Sequence, residues 1–176
     1  GDTLWHSAEA PPPAEFRRLA SMRAKQYLAG ANVAPRDDLD VSRIAWDAVE
    51  LAMQRARQTD RVEPDYAEVA RNTLAESGLS LSHQHAVGLL DAIYVSGVDG
   101  GKAAYPDART TLDTLRLRGF KLAIVSNRAF GGDRFRDDLR AAGLNIDWDA
   151  TIVSVEVGYL KPHPEIFRCA LAALDV

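Results

Sequence analysis

Two polar residues of this chain stand where a parallel α/β protein would hold an anion. Ser126 follows the apolar run Phe120–Val125, which has the length of a buried strand. Lys161 precedes Pro162, so its backbone is extended at the entrance of the helix that Pro164 opens. Open α/β sheets place ligands at the carboxyl ends of their strands. A hydroxyl and an ammonium group at that edge can together hold a phosphoryl group or a similar anion.

The neighbours of these residues extend the site, and each residue alone also allows a plainer interpretation. Asn127 and the backbone N–H groups that follow Ser126 are candidates as further donors to an anionic oxygen. Taken alone, Ser126 can cap the next loop and Lys161 can be an exposed surface lysine. Gly131 and Gly132 either let a loop approach a ligand or only form a turn. The prediction of an anion site therefore depends on the two residues meeting in the fold.

The hydrophobic period divides the chain into two parts. Residues 14–95 carry apolar side chains at helical spacing in four segments, which is typical of a helical bundle. From Tyr105 the pattern becomes helix–strand–helix–strand–helix, with strands predicted at Phe120–Val125 and Ala150–Val153. This alternation predicts a parallel α/β sheet. The charged run that includes Asp137 and Asp138 is interpreted as a solvated helix face.

Composition excludes several classes of partner. The chain has 176 residues and a net charge of −4, and its basic residues form no block, so binding to nucleic acid has no electrostatic support. No stretch approaches the roughly 18 apolar residues that span a bilayer, and the first residues lack a signal-peptide pattern. The single Cys169 excludes an internal disulfide and fits a reducing compartment. These features predict a cytoplasmic protein; they do not indicate its oligomeric state.

Three motifs and the helical region together resemble the haloacid dehalogenase-like (HAD) hydrolase superfamily. The opening GDTLW is similar to the end of the first motif, with Thr3 and Leu4 at its last two positions. Ser126 corresponds to the Ser of the second motif, at the end of YPDARTTLDTLRLRGFKLAIVSN. Lys161 corresponds to the Lys of the third motif, in SVEVGYLKPHPEIF. The helical region from about 14 to 95 lies where this superfamily inserts a cap, so the resemblance covers nearly the whole chain.

The resemblance implies an α/β fold with a Rossmann-like parallel sheet core, expected over residues 1–12 and 99–176, and an inserted α-helical bundle cap over residues 13–98. Pro11–Pro13 is expected to be a stiff linker, and Ser96–Gly101 a flexible hinge.

Alignment with the superfamily places the nucleophilic Asp two residues before Gly1 and the acidic fourth motif after Val176. Gly1 falls at the position of the second Asp, and Asp2 at the position after it, so Asp2 is not assigned as the nucleophile. We therefore expect the chain to be truncated at both ends, to belong to a longer polypeptide and to be inactive alone.

The phosphatase members of this superfamily give the leading functional prediction. An Asp carboxylate attacks the substrate and forms an aspartyl-phosphate that water hydrolyses, with Mg²⁺ screening the two anions. The resemblance implies that Ser126 and Lys161 are catalytic residues that bind phosphoryl oxygens, and that Thr3 and Asn127 bind substrate. The predicted substrate is a small phosphorylated metabolite. The Mg²⁺ ligands are expected largely outside this chain, so none is assigned within it.

Two other functions remain open. A 2-haloacid dehalogenase would use the same Ser and Lys without a metal, and would take up halide with an Arg and apolar residues, for which Arg128 and Phe130 are candidates. A non-catalytic binding protein of the same fold would be consistent with Gly1 at the acid/base position. Metal dependence of the full-length protein separates the first alternative from a phosphatase.

Overall fold

A computed structural model of the chain describes residues 3–7 and 13–176. Gly1, Asp2 and most of the predicted proline linker lie outside this range. The described residues form two compact units: one is α/β and comprises residues 3–7, 61–63 and 96–176, and the other is helical and comprises residues 13–60 and 64–95. The assignment of these units to a hydrolase core and a cap stays a prediction.

The helical unit contains the four helices that the hydrophobic period predicts. Their bounds are α1 Pro13–Gly30, α2 Val41–Gln58, α3 Tyr66–Glu76 and α4 His83–Ile93. Three of them begin at a residue whose side chain accepts a backbone N–H of the first turn, and these residues are Asp40, Asp65 and Ser82. After α3, Gly78 has a φ of 91° and the Leu79 N–H donates to the Leu74 carbonyl at 2.9 Å. This C-terminal cap fits the predicted end of the helix.

The α/β unit has the fold class that the sequence predicts. Its elements are β1 Trp5–Ser7, β2 Lys102–Ala104, α5 Ala108–Leu117, β3 Ala123–Ser126, α6 Gly132–Ala141, β4 Ala150–Val153, α7 Ser154–Val157 and α8 Pro164–Ala173. Strands β3 and β4 are parallel, with Ser126 opposite Val153. Strands β1 and β2 are antiparallel. The parallel pair brings the residues that follow β3 and those that follow β4 to one edge.

Strand β3 begins later than the predicted run Phe120–Val125 because its first residues have other partners. The ammonium of Lys121 donates to the Leu174 carbonyl at the end of α8. The N–H of Leu122 donates to a carboxylate oxygen of Asp149 at 2.6 Å. Phe120 is 56% exposed, so the apolar run includes a residue that is not in the core.

Two features of the α/β unit have no counterpart in the sequence predictions. Strands β1 and β2 have three residues each, too few to show a strand alternation. The segment Arg61–Glu63 belongs to the α/β unit although it lies between α2 and α3 in the chain. There the N–H of Leu160 donates to the Arg61 carbonyl at 2.8 Å, and Val62 forms an antiparallel bridge with Tyr159. This segment supports the turn that leads to Lys161.

The core of the α/β unit connects the strands to α5 and α6. Its buried residues are Trp5, Ala108, Leu112, Leu122, Phe135, Leu139, Leu144 and Val153. The rings of Trp5 and Phe135 meet edge to face with centroids 5.9 Å apart, a favourable aromatic geometry. No helix in the described part of the chain is both long and apolar enough to cross a membrane.

Candidate functional site

A cavity of about 440 Å³ runs along β3 in the α/β unit. The four residues predicted to bind or act on the substrate all line it, and these are Thr3, Ser126, Asn127 and Lys161. The structure therefore places the hydroxyl and the ammonium of the predicted anion site on the same side of the unit. Their roles in a reaction stay predictions.

The side chain of Lys161 is directed toward the end of β3. Its Nζ donates to the Val125 carbonyl oxygen at 2.7 Å, one residue before Ser126. Burial lowers the pKa of Lys161 from the ordinary value of 10.5, because desolvation disfavours the charged form. An ammonium group has three N–H donors, so two remain for an anion in the cavity.

Ser126 is the last residue of β3 and is half-buried. Within residues 3–7 and 13–176 its hydroxyl has no hydrogen-bond partner. Its position at the carboxyl end of a parallel strand is the position at which this fold class binds ligands. The hydroxyl is therefore available to donate to an oxygen of a bound anion.

Asn127 contacts the backbone of Lys161 with both ends of its side-chain amide. Its Oδ1 accepts the Lys161 N–H at 2.7 Å, and its Nδ2 donates to the Lys161 carbonyl at 3.3 Å. The peptide bond between Lys161 and Pro162 is cis. These bonds connect the residue after β3 to the lysine of the third motif, a contact that the predicted substrate-binding role of Asn127 does not include.

The guanidinium and the backbone N–H of Arg128 both contact other groups of the protein. Its guanidinium pairs with Asp138 at 3.0 Å and lies 5.0 Å from the ring centroid of Phe135. Its backbone N–H donates to the Ser154 hydroxyl at 2.9 Å, so that N–H is not available to a ligand. The carboxylate of Asp138 also accepts the Gly97 N–H at 3.0 Å, which connects the predicted hinge to this group.

A comparison with family models decides which family has these motifs. The model of haloacid dehalogenase-like hydrolases matches residues 2–176. This chain belongs to the HAD-like hydrolase family.

Curated relatives of this HAD-like hydrolase include enzymes with two different activities. The chain is 40% identical over 72 residues to a phosphoserine phosphatase of Thermus thermophilus, covering 41% of this chain and 28% of that protein. It is 39% identical over 74 residues to (S)-2-haloacid dehalogenase 1 of a Pseudomonas species, covering 42% of this chain and 32% of that protein. The matched segments thus span about a third or less of each relative.

Solved structures support the fold. The HAD hydrolase YfnB of Bacillus subtilis, solved with bound magnesium, is 16% identical and has a TM-score of 0.51. The match covers 90% of this chain and 67% of that one. At this identity the likeness concerns the arrangement of the elements and carries no information on the substrate.

The two glycines after Arg128 differ in what surrounds them in this HAD-like hydrolase. A Cβ on Gly132 would lie 2.0 Å from Oε1 of Glu156, and the same oxygen accepts the Gly132 N–H at 3.1 Å. A Cβ on Gly131 would meet open space. The close approach that Gly132 permits is therefore to a carboxylate of the protein and not to a ligand.

The family resemblance implies a Mg²⁺ site, and the described residues do not supply its ligands. Among them no group of three or more His, Cys, Asp or Glu side chains is placed to hold a metal ion. Those that line the cavity include no carboxylate, whereas Mg²⁺ prefers oxygen ligands from carboxylates. No step of the chemistry is therefore derived through a metal.

The interpretation of Asp138 as part of a solvated helix face is wrong, because its side chain is only 2% exposed. Asp138 follows Phe135 by three residues, and Leu139 lies on the same apolar side of α6. That helical spacing was the signal in the sequence. Lys102, which also lines the cavity, has no such signal because the strand that carries it is too short to predict.

Proposed function

We propose that this HAD-like hydrolase cleaves a phosphate monoester of a small metabolite in a Mg²⁺-dependent reaction, with Ser126 and Lys161 binding the phosphoryl group. The observation that carries the proposal is that the Lys161 ammonium donates to the Val125 carbonyl, one residue before Ser126, and that both residues line one cavity. A phosphoryl group in transfer spreads negative charge over three oxygens, and convergent donors stabilise it.

The geometry suits a group that must be held without reorganisation. The bond to Val125 uses one N–H of Lys161 and leaves a compact charge with two donors at the end of β3. The Ser126 hydroxyl adds a donor from the strand itself, and the exposed Thr3 lines the same cavity. Donors that are already in place stabilise developing charge more than donors that have to move.

The covalent step of the proposal rests on the family resemblance. In that family an Asp carboxylate attacks phosphorus, the leaving alcohol takes up a proton, and water then hydrolyses the aspartyl-phosphate. The nucleophilic Asp and the Mg²⁺ requirement are both carried over from the family. What the described residues contribute is binding and orientation of the phosphoryl oxygens.

A 2-haloacid dehalogenase remains the second candidate because one curated relative has that activity. The paired state of Arg128 argues against it as the residue that accepts halide. Its charge is balanced by the buried Asp138 carboxylate, and only 18% of its side chain is exposed. An anion would have to compete with that carboxylate, so the phosphatase remains the leading proposal.

The test uses the full-length protein with two substrates, p-nitrophenyl phosphate and 2-chloropropionate. We expect phosphate ester hydrolysis that EDTA abolishes and added Mg²⁺ restores, and no release of chloride. Lys161→Met is expected to lower kcat/KM by at least about 100-fold, since it removes a charged donor from the transition state. The matched control is Lys25→Met, at an exposed lysine of α1, which should leave the activity unchanged.

Three outcomes would overturn the proposal. Metal-independent release of chloride would identify a dehalogenase. A folded full-length protein that acts on neither substrate would identify a non-catalytic member of the family. Phosphatase activity that persists in Lys161→Met would remove the lysine from the site.

A further inference from the structure

The cavity along β3 is lined by several cations that differ in their partners. The described basic residues that line it are Lys102, Lys121, Arg128 and Lys161. Lys161 donates to a strand carbonyl, and Arg128 pairs with a buried carboxylate. Lys121 donates to carbonyl oxygens at the end of α8. Lys102 is the fourth of these basic residues, and its partner is of a different kind.

Lys102 has an aromatic ring where the other cations have an oxygen. Its Nζ lies 5.3 Å from the ring centroid of Trp5. Within the described part of the chain, this ammonium makes neither a salt bridge nor a hydrogen bond. A cation–π contact is weaker than a charge-assisted hydrogen bond to a carboxylate, so an anion that reaches Lys102 gains a bond without breaking one.

The backbone of Lys102 is fixed. It pairs with Ser7 between β2 and β1, and its N–H donates to the Gly97 carbonyl at 2.8 Å. The stem of the side chain passes close to Gly97, since a Cβ at that glycine would lie 3.5 Å from Lys102 Cδ. A cation whose backbone is fixed can select a ligand, because the side chain loses little conformational freedom when the ligand binds.

A single phosphoryl group does not account for this second cation. Lys161 and Ser126 already supply a charge and a hydroxyl at the end of β3. The described lining residues include no carboxylate that would balance Lys102. A second cation in the cavity, with no carboxylate among the described lining residues, favours a substrate with an additional negative charge.

We propose that Lys102 binds a carboxylate of the substrate while Lys161 and Ser126 bind its phosphoryl group. The substrate class is then phosphate monoesters that carry a carboxylate near the ester. This inference rests on the proposed phosphatase function and names the substrate class of the same site. One monovalent ammonium matches one monovalent carboxylate, and this match is the reason for choosing that group.

The experiment compares two substrates of similar size on the full-length protein, 2-phosphoglycolate and ethyl phosphate. In the wild-type protein, kcat/KM should be higher for 2-phosphoglycolate. Lys102→Met should lower that preference about tenfold, the size of one lost charge-assisted hydrogen bond, and mainly through KM. Lys102→Arg should retain most of the preference. The Lys25→Met variant should behave like the wild type on both substrates.

The outcomes separate this inference from the proposed function. If Lys102→Met changes kcat/KM for both substrates equally, or for neither, Lys102 does not bind the carboxylate, while the phosphatase function stands. If the wild-type protein hydrolyses neither ester, the phosphatase function fails. In that case, calorimetric binding of 2-phosphoglycolate tests Lys102 directly: weaker binding by Lys102→Met supports the contact, and equal binding overturns it.

Discussion

The side-chain amide of Asn127 holds both polar groups of the Lys161 backbone, its N–H at 2.7 Å and its carbonyl at 3.3 Å. Asn127 follows the last residue of β3, and Lys161 lies 34 residues further along the chain. Two bonds in opposite directions hold the two peptide groups that flank the Cα of Lys161. The lysine side chain is thereby aimed at the carbonyl of Val125, where its ammonium is bound. We interpret Asn127 as a positioning residue for Lys161.

The first prediction tests this positioning. Asn127→Ala should lower kcat/KM for a phosphate ester by about 10- to 100-fold, because a displacement of about 1 Å in a binding group has effects of that size. Steady-state kinetics on the full-length protein measure it. Asn72→Ala, at an exposed asparagine of α3, is the control and should be neutral. A fully active Asn127→Ala protein would show that Lys161 is held by other contacts.

The second prediction concerns the alkaline limb of activity. Burial lowers the pKa of Lys161 from 10.5, so its ammonium loses its proton at a lower pH than an exposed lysine. The kcat/KM for a phosphate ester should therefore fall as the pH rises through this lowered pKa. Lys161→Arg should be less active than the wild type at neutral pH. Its remaining activity should not fall in this alkaline range, because a guanidinium stays charged. Identical pH profiles would exclude Lys161 as the titrating group.

The same shift predicts how stability depends on pH. Between the lowered native pKa of Lys161 and 10.5, the unfolded state binds more protons than the native state. The free energy of unfolding gains a positive slope from this group as the pH rises through that window, since stability rises wherever the unfolded state binds more protons. The comparison is between the wild type and Lys161→Met, in urea denaturation at a series of alkaline pH values. Lys161→Met should lack this contribution. Equal slopes of the free energy of unfolding against pH in the two proteins would contradict the lowered pKa of Lys161.

The sequence predicts those parts of the fold that depend on local pattern. The bounds of β4 are the predicted ones, and Ser126 and Lys161 were expected to meet because residues after parallel strands lie at one edge. Local pattern does not reveal contacts between distant residues. The pairing of Arg128 with Asp138 and the place of Lys102 beside Trp5 depend on how α6 and β2 pack. These contacts decide which cations remain available to a ligand.

The fourth prediction compares two adjacent aspartates of α6. Asp138 is 2% exposed and pairs with Arg128, so Asp138→Ala leaves a half-buried guanidinium and the Gly97 N–H without this acceptor. Loss of one partner of a buried ion pair costs about 3–5 kcal/mol. Asp137 pairs with Arg140, and both side chains are 65% exposed, so Asp137→Ala should change stability by less than about 1 kcal/mol. Urea denaturation of both variants measures the difference, and equal stabilities would contradict the structural role of Asp138.

The last prediction concerns a close approach of two helices in the helical unit. A Cβ on Gly88 of α4 would lie 2.1 Å from the hydroxyl oxygen of Tyr27 in α1 and 2.6 Å from its Cζ. The aromatic ring is rigid, so Gly88→Ala has to displace Tyr27 or separate the helices, and overpacking of this kind costs about 1–3 kcal/mol. The higher helix propensity of Ala returns up to about 1 kcal/mol, so net destabilisation is expected.

Gly30→Ala is the matched control for this change. Gly30 is the last residue of α1, and a Cβ there would meet no atom within 4 Å. The Gly30→Ala protein should therefore be as stable as the wild type or slightly more stable, because the only effect left is the higher helix propensity of Ala. Thermal unfolding followed by circular dichroism at 222 nm compares the two variants. If Gly88→Ala melts at or above the temperature of Gly30→Ala, the helices do not depend on a glycine at their closest approach.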